Sequence, residues 1–416
     1  PCHGDTASDS HHTLPVLNFD MARLDSVELY PYKKVFDAGI ASVMTAHLSI
    51  PSLESDKRLP TSLSKNVVTN LLQQKLGFLG LVITDGLNMK GAANYATSAE
   101  INLAAIHAGN DLLLIPQDLP ATVNLIKKAI ELKTLTEERV DFSVRKILSA
   151  KYWAGLHTYK PIVLEGIEKD LNAIEDELLH RKLVKNSLTV LKDINANLPI
   201  SNLEKRKIAY VKLGDDSNTP FVKMLQNYGN VDVVSDENVD GIIKKLKPYN
   251  LVIVGFHKSD KAWKKQDFTE KELLWLQEIG KKNNVILDVF TKPYSLLPVT
   301  TFDEIEAVVV SYQNADIAQE VSAELLFGAI EAKGKLPVSI LPNFNVNDGL
   351  STEKINRLGF SSPENVGMNP AVLAQIDVLA NKAIDNKMTP GLQVLVARKG
   401  KVIYQKSFGS HTYENK

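Results

Sequence analysis

The chain has 416 residues, 44% of them hydrophobic and 23% charged, with a formal net charge of −1 at pH 7. That length exceeds one ordinary domain, and the composition is that of a folded protein with real cores. The charge balance excludes a global field for nucleic acid or an anionic membrane, the one cysteine (Cys2) excludes an internal disulfide framework, and no apolar run reaches the ~18 residues of a spanning helix.

The N-terminal run from Pro1 to Pro15 crowds His3, Asp5, Asp9, His11 and His12 into one loop containing Gly and Ser. It carries neither a start methionine nor a signal peptide, and the C-terminus stops just after a strand pattern, so the chain is expected to be a fragment of a longer protein. From Ile40 to about Gly155, short apolar strands alternate with amphipathic helices. Strands are expected at Ile40–Ile50, Gly80–Thr84 and Asp111–Ile115. Helices are expected at Ser64–Leu76, Ser98–Ala108, Leu119–Leu132 and Glu137–Tyr152, with Ser62 or Ser64 capping the first and Thr136 the last. The alternation argues for parallel α/β structure, but three such strands are too few to close a barrel or to cover both faces of an open sheet.

A connecting segment and a helix over Ala173–Lys185 lead into a second α/β unit. Its strands are expected at Lys207–Leu213, Val231–Val234, Leu251–Phe256, Asn284–Val289 and Glu306–Ser311, with intervening helices at Phe221–Tyr228, Val239–Leu246, Glu270–Lys282 and Ala315–Phe327. A doubly wound sheet fits this pattern. The turn after its first strand, Lys212-Leu-Gly-Asp-Asp-Ser217, is acidic and has one glycine, so it does not read as a dinucleotide site. Asn343–Asn365 reads as a polar linker. A helix over Asn369–Asn386 and a hairpin (Gly391–Arg398, Lys401–Ser407) around Lys399-Gly400 then open a third domain that cannot bury its apolar face alone.

Two segments invite a chemical reading. Gly80-Leu-Val-Ile-Thr-Asp85 ends a buried strand in a carboxylate, a costly place for a charge, and Asp85 has the chemistry of a nucleophile for an anomeric carbon. Asp9 and His11 lie two residues apart, so the carboxylate can hold the imidazole in one tautomer for acid/base work. The plainer alternative makes Asp85 a cap of the following turn and Asp9 an Asx-turn. A metal site built from His3, Asp5, Asp9, His11 and His12 is a rival, although no second ligand cluster follows downstream and His47 reads as a packed or hydrogen-bonded histidine. His12 and His257 read as surface-loop residues, the runs Lys244–Lys247 and Lys258–Lys265 as solvated helix faces, and Trp263 and Trp275 as core or interface.

The run Pro-Cys-His-Gly-Asp-Thr…Asp-Ser-His…Leu-Pro resembles the loop of glycoside hydrolase family 3, specifically the β-N-acetylhexosaminidases of the NagZ type. Val43-Met-Thr-Ala-His47-Leu, the strand ending at Asp85, and Ala108-Gly-Asn-Asp-Leu-Leu-Leu-Ile-Pro116 agree with it in order and spacing. Glu324-Leu-Leu-Phe-Gly328 and Leu336-Pro-Val resemble the close of that family's second domain. The resemblance implies a retaining mechanism in which Asp85 attacks the anomeric carbon of a β-linked N-acetylglucosamine. His11 would serve as acid and then base with Asp9 as its partner, and His3 and Asp5 would contact the sugar. It implies no cofactor or metal, and as substrate a β-N-acetylglucosaminide or a peptidoglycan-derived saccharide. Because a histidine repels an anionic acceptor less than a second carboxylate does, phosphorolysis is conceivable in place of hydrolysis. The family's glycine is Cys2 here, and its upstream Lys-His pair and first five barrel strands are absent, so the chain alone is expected to be inactive.

The implied fold is α/β: the C-terminal part of a (β/α)₈ TIM barrel (1–157), an α/β sandwich domain (158–342), a linker (343–365) and a truncated segment (366–416). That last segment, with Met388-Thr-Pro-Gly-Leu-Gln-Val, resembles the start of a serine β-lactamase-like domain. Ser62-Leu-Ser-Lys65 fits that fold's Ser-x-x-Lys pattern only by chance. Such a fusion points to an exported protein in preference to a cytosolic one, and a non-catalytic wall-binding scaffold is the alternative of a different class.

Overall fold

The computed structural model describes residues 3–261 and 264–414, and the chain divides into two compact units, Pro1–Val163 and Leu164–Lys416. In the first unit, β1 (Ser42–Thr45), β2 (Leu81–Gly86) and β3 (Leu112–Leu114) form a parallel sheet in that order, and no closed barrel forms among the described residues. The strand expected over Ile40–Ile50 stops at Thr45, because the residues beyond it pair elsewhere. Ser49 donates its amide to the Pro15 carbonyl (2.8 Å) and accepts from the Leu17 amide (2.9 Å), which fastens the N-terminal loop to the sheet.

Burial alternates along β2. Val82, Thr84 and Gly86 are buried, and Val82 packs with Val68, Leu72, Phe78 and Ala108, whereas Leu81, Ile83 and Asp85 stand half-buried on the opposite face. One face is therefore covered by helices and the other is not. The covering helices run over Asn66–Lys75, Ser98–Ala108, Leu119–Glu131 and Glu137–Trp153. Thr136 caps the last of these, accepting from the Arg139 amide at 3.2 Å. Ser64 accepts from the Val67 amide at the start of the first (3.4 Å), while Ser62 is engaged elsewhere. Three short helical pieces before β1 (Met21–Arg23, Leu24–Glu28, Tyr30–Asp37) have no counterpart in the sequence reading.

The second unit holds a six-stranded sheet of β4 (Thr189–Asp193), β5 (Ile208–Gly214), β6 (Val231–Val233), β7 (Leu251–His257), β8 (Val285–Phe290) and β9 (Ala307–Val310), in the order β4-β9-β8-β7-β5-β6. The five parallel strands have the doubly wound order 2-1-3-4-5, with β4 added antiparallel at the edge beside β9. Every residue of β7, β8 and β9 is buried, which is why these strands read as unbroken apolar runs. Alternate residues feed two cores: Tyr210, Ile253, Ile286 and Val309 on one face, Val211, Val254, Leu287 and Val308 on the other. Leu336 and Ile340 close the second core.

His257 corrects the sequence reading. It ends β7 fully buried, hydrogen-bonded to Tyr210 Oη (2.9 Å) and Asn314 Oδ1 (2.7 Å), and burial pushes its pKa down to about 4. β7 runs one residue further than its apolar pattern, and polar partners from β5 and the Asn314 loop meet the ring there. Lys258 is also buried rather than solvated, paired with Glu272 at 3.0 Å. Trp275 packs against the second core, whereas Trp263 lies outside the described residues.

In the C-terminal segment, helices Pro370–Leu373 and Gln375–Asp385 precede an antiparallel hairpin of β11 (Gly391–Arg398) and β12 (Lys401–Gly409). Its two-residue turn has both Lys399 (φ 51°) and Gly400 (φ 73°) left-handed, as a type I′ turn requires. β10 (Gly359–Phe360) adds to β12 in parallel, so the stretch read as linker contributes a strand.

Candidate functional site

The Asp9–His11 pair forms as the spacing suggests. The His11 amide donates to Asp9 Oδ1 at 2.9 Å and the ring Nδ1–H donates to the same oxygen at 2.7 Å. Partial burial pushes the Asp9 pKa up, but these two bonds and the ring's charge outweigh it and hold the carboxyl below its ordinary value. An ionised Asp9 can only accept, so the proton on this side of the ring sits on Nδ1. The loop that carries the pair is anchored within the pair and beyond it: the Ser10 carbonyl accepts from the Gly91 amide at 3.0 Å, and Pro15 and Leu17 bond Ser49.

Gly91 is a residue that pattern reading missed. A Cβ placed on it would lie 3.1 Å from His47 Cβ, the Ser10 oxygen and the Thr13 oxygen alike. The loop, the segment after β1 and the short helix Lys90–Ala93 after β2 converge on this position, and any side chain there would push its neighbours back by a few tenths of an ångström. The lone signal in sequence is a Gly inside a helical pattern.

Asp85 lies on β2 one residue before the strand ends, half-buried, with Oδ1 accepting from the Gly86 amide at 2.7 Å. It and His3 line one cavity of about 440 Å³, whose other walls are largely aliphatic side chains from β1, the segments before and after it, and helix Asn66–Lys75. Asp9 and His11 are not among the lining residues. His3 Nε2 is 2.6 Å from the buried Ser10 hydroxyl, and Asp5 faces Arg23 (3.8 Å), which also pairs with Glu28 at 3.1 Å. The fold thus brings Asp85 and His3 to the lining of one cavity and joins Asp9 to His11, while Asp5 takes part in an ion network with Arg23. His12 is exposed and Cys2 lies outside the described residues.

His47, fully buried, links the end of β2 to Ser62. The Gly86 carbonyl can only accept, so Nε2–H donates to it (3.0 Å) and the Ser62 hydroxyl donates to Nδ1 (2.7 Å). Burial holds the ring's pKa down, with the Gly86 bond and the Asp85 charge opposing. The neutral ring therefore fixes the main chain directly after Asp85. Ser62 is 0% exposed and committed to His47, which removes the Ser-x-x-Lys coincidence from consideration. Among the described residues no group of three His, Cys, Asp or Glu side chains is arranged to hold a metal ion, so the metal-site rival has no described ligand set.

Residues 108–116 serve the frame. Asn110 Nδ2 donates to the Ser62 and Ala105 carbonyls (2.8 Å each), and its Oδ1 accepts from Thr45 Oγ1 at the end of β1 (2.9 Å). Asp111 accepts from the Val82 amide of β2 (3.0 Å) and from Ser143 (2.6 Å), and it pairs with Lys146 and Arg139.

Comparison with known proteins bears on this unit. The beta-hexosaminidase of Chromobacterium violaceum is 36% identical over 115 residues, covering 28% of this chain and 31% of that protein. The beta-N-acetylglucosaminidase/beta-glucosidase of Cellulomonas fimi is 26% identical over 209 residues, covering 48% of this chain and 37% of that one. The chain thus spans about a third of the length of the curated relatives it matches. In fold, the glycoside hydrolase family 3 beta-N-acetylglucosaminidase from Paenibacillus sp. str. FPU-7 superposes with a TM-score of 0.64 at 24% identity, over 81% of this chain and 65% of that chain. Among the described residues no helix is long and apolar enough to cross a membrane. Residues 1–150, which contain every candidate catalytic side chain, match the glycosyl hydrolase family 3 N terminal domain.

Proposed function

We propose that the first unit carries the acid/base loop and nucleophile strand of a retaining β-N-acetylhexosaminidase. The Asp9–His11 hydrogen bond of 2.7 Å, in a loop bonded at Gly91 just beyond Asp85, is the observation that supports this most. In the reaction proposed, an Asp85 carboxylate oxygen attacks the anomeric carbon of a β-linked N-acetylglucosamine as its bond to the glycosidic oxygen breaks. His11, charged and hydrogen-bonded to Asp9, gives its Nε2 proton to that oxygen. The neutral His11 then takes a proton from water, whose oxygen displaces Asp85 and restores its carboxylate.

The substrate proposed is a peptidoglycan-derived saccharide with terminal N-acetylglucosamine, and hydrolysis is preferred to phosphorolysis. A sheet of three parallel strands does not enclose a sugar, so the 416-residue chain by itself is proposed to be inactive and the activity to need further barrel strands. The second unit is read as an α/β sandwich domain followed, from residue 366, by the start of a β-lactamase-like domain. The helix and antiparallel hairpin there support that reading, and with it an exported location.

Chromophore release from 4-nitrophenyl β-N-acetylglucosaminide by the full open reading frame and by its Asp85→Ala variant tests the proposal. Turnover that the variant loses, and that the 416-residue chain lacks, is the expected result. A folded full-length protein without turnover would move the assignment to another sugar or to wall binding.

A further inference from the structure

A second cavity, of about 370 Å³, lies wholly within the second unit and far in sequence from the candidate catalytic residues. Helix Ile174–Ser187 contributes Arg181, Lys182 and Lys185 to its wall, Glu324 comes from helix Asp316–Leu326, and Asn365 and Lys401 come from the C-terminal segment. Arg181 is fully engaged, with Glu320 at 2.7 Å and with buried Glu324, which also accepts from the Phe360 amide at 3.3 Å. That carboxylate is therefore spent on Arg181 and on β10. Among the described residues Lys182, Lys185 and Lys401 form no ion pair, although Lys401 is half-buried in β12 beside Gly359. Burial holds the Lys401 ammonium below its ordinary pKa. Glu324 opposes that shift, and the charges of Arg181, Lys185 and Lys354 add to it. Four cations against one carboxylate on the wall, with Glu320 on Arg181 from outside, leave about two positive charges unmatched.

We propose that this cavity is a binding site for a small phosphate-type dianion, held by Lys182, Lys185 and Lys401 where the C-terminal segment packs on helix Ile174–Ser187. A dianion matches the unmatched charge, and three ammonium groups can donate to its oxygens from two sides. Because Lys401 belongs to the C-terminal segment and Lys185 to the helix, such a ligand would join the two. Inorganic phosphate and a phosphomonoester share this chemistry.

Calorimetric titration of the 416-residue chain at low ionic strength, with inorganic phosphate and with glucose 6-phosphate as probes, tests the assignment. Thermal unfolding at matched ionic strength in sodium chloride accompanies it. Saturable binding of phosphate, a rise in unfolding temperature beyond that of chloride, and at least tenfold weaker binding in Lys185→Gln and Lys401→Gln are expected, with Lys127→Gln unchanged. Tighter binding of the phosphomonoester would identify the phosphate as the head of a larger ligand, and equal or weaker binding would identify the free anion. Lys185 is exposed on its helix, so that variant tests the site even if Lys401→Gln fails to fold. A phosphate effect no larger than that of chloride, or binding unchanged in a folded Lys185→Gln, overturns the proposal.

Discussion

Asp288, in the middle of β8, is a carboxyl group with no access to water, and its replacement by asparagine should rewrite the pH dependence of the second unit. Its Oδ1 accepts from Ser311 Oγ at 2.7 Å and its Oδ2 meets Ser322 Oγ. Burial raises its pKa from the ordinary 3.8 to about 7, the two serine bonds opposing. The folded state therefore binds a proton that the unfolded state has released between pH 4 and 7. Stability falls as pH rises through that window, by about 1.4 kcal/mol per pH unit at the steepest. Between pH 5 and 8 this one group costs ~3 kcal/mol. His257 acts in the opposite sense: its folded pKa of about 4 lies below the ordinary 6.5, so its contribution falls as pH drops from 6.5 toward 4. Over the same interval it returns ~2 kcal/mol on going to pH 8, so the two nearly cancel in the wild type.

Asparagine is isosteric, keeps an acceptor for Ser311 and offers an amide donor to Ser322, so Asp288→Asn should fold. Urea unfolding at pH 5, 6.5 and 8, followed by the fluorescence of Trp275 against the second core, measures the effect. His257 should contribute ~2 kcal/mol to the variant's gain from pH 5 to 8, while Glu324, Asp193 and Asp260, whose pKa values burial raises, act alike in both proteins. The difference between the two proteins should grow by ~3 kcal/mol over that range. A constant difference across pH would show that Asp288 titrates alike in both states and would refute the reasoning.

His257→Leu should remove the acid sensitivity that Asp288→Asn exposes, so the double variant should gain ~2 kcal/mol less than Asp288→Asn from pH 5 to 8 in the same urea series. Asp111→Ala should destabilise the first unit by ~3–5 kcal/mol, because Lys146 is left without its partner in a largely buried position, and the Val82 amide should lose its protection against hydrogen exchange. Gly91→Val has no room for its side chain against His47 and the Ser10 and Thr13 carbonyls, so it should release the N-terminal loop, read as faster limited proteolysis within residues 3–15. The same treatment of Gly229→Ala, where a Cβ meets nothing closer than 3.8 Å, should leave that loop intact.

Much of the second unit was legible because its strands are buried on both faces and its helices are amphipathic, so apolar runs and periodicity mark them directly. β4 escaped because Thr189-Val-Leu-Lys-Asp193 follows helix Ile174–Ser187 after one residue, Leu188, with no turn signal between. β10 escaped because two residues of pairing leave no pattern at all. His257 was misread because an isolated histidine after a strand carries no mark of the Tyr210 and Asn314 groups that meet it, which come from distant parts of the chain. In the first unit the Asp9–His11 contact was legible from a spacing of two residues. The convergence on Gly91 depends on three segments meeting in space, which one sequence does not state.

The same contrast explains how a sheet of three short strands keeps its order with one face uncovered. An apolar second layer would ordinarily supply that stability, at roughly 1.5–3 kcal/mol per buried aliphatic side chain. Here the strands are held largely by polar groups placed between them. Asn110 ties Thr45 of β1 to the Ser62 and Ala105 carbonyls, Asp111 ties the Val82 amide of β2 to Lys146 and Ser143, and His47 ties the Gly86 carbonyl to Ser62. Hydrogen bonds to a charged group contribute ~1.5–3 kcal/mol each, and they are directional, so they fix register where apolar contacts permit sliding. Asn110 and Asp111, which on sequence grounds alone belong to the same motif set as Asp85, thus set the frame. Asp85, one residue before β2 ends and half-buried, takes no part in those ties: its Oδ1 accepts from the Gly86 amide, and that position is what lets the proposed function assign it the nucleophile's part.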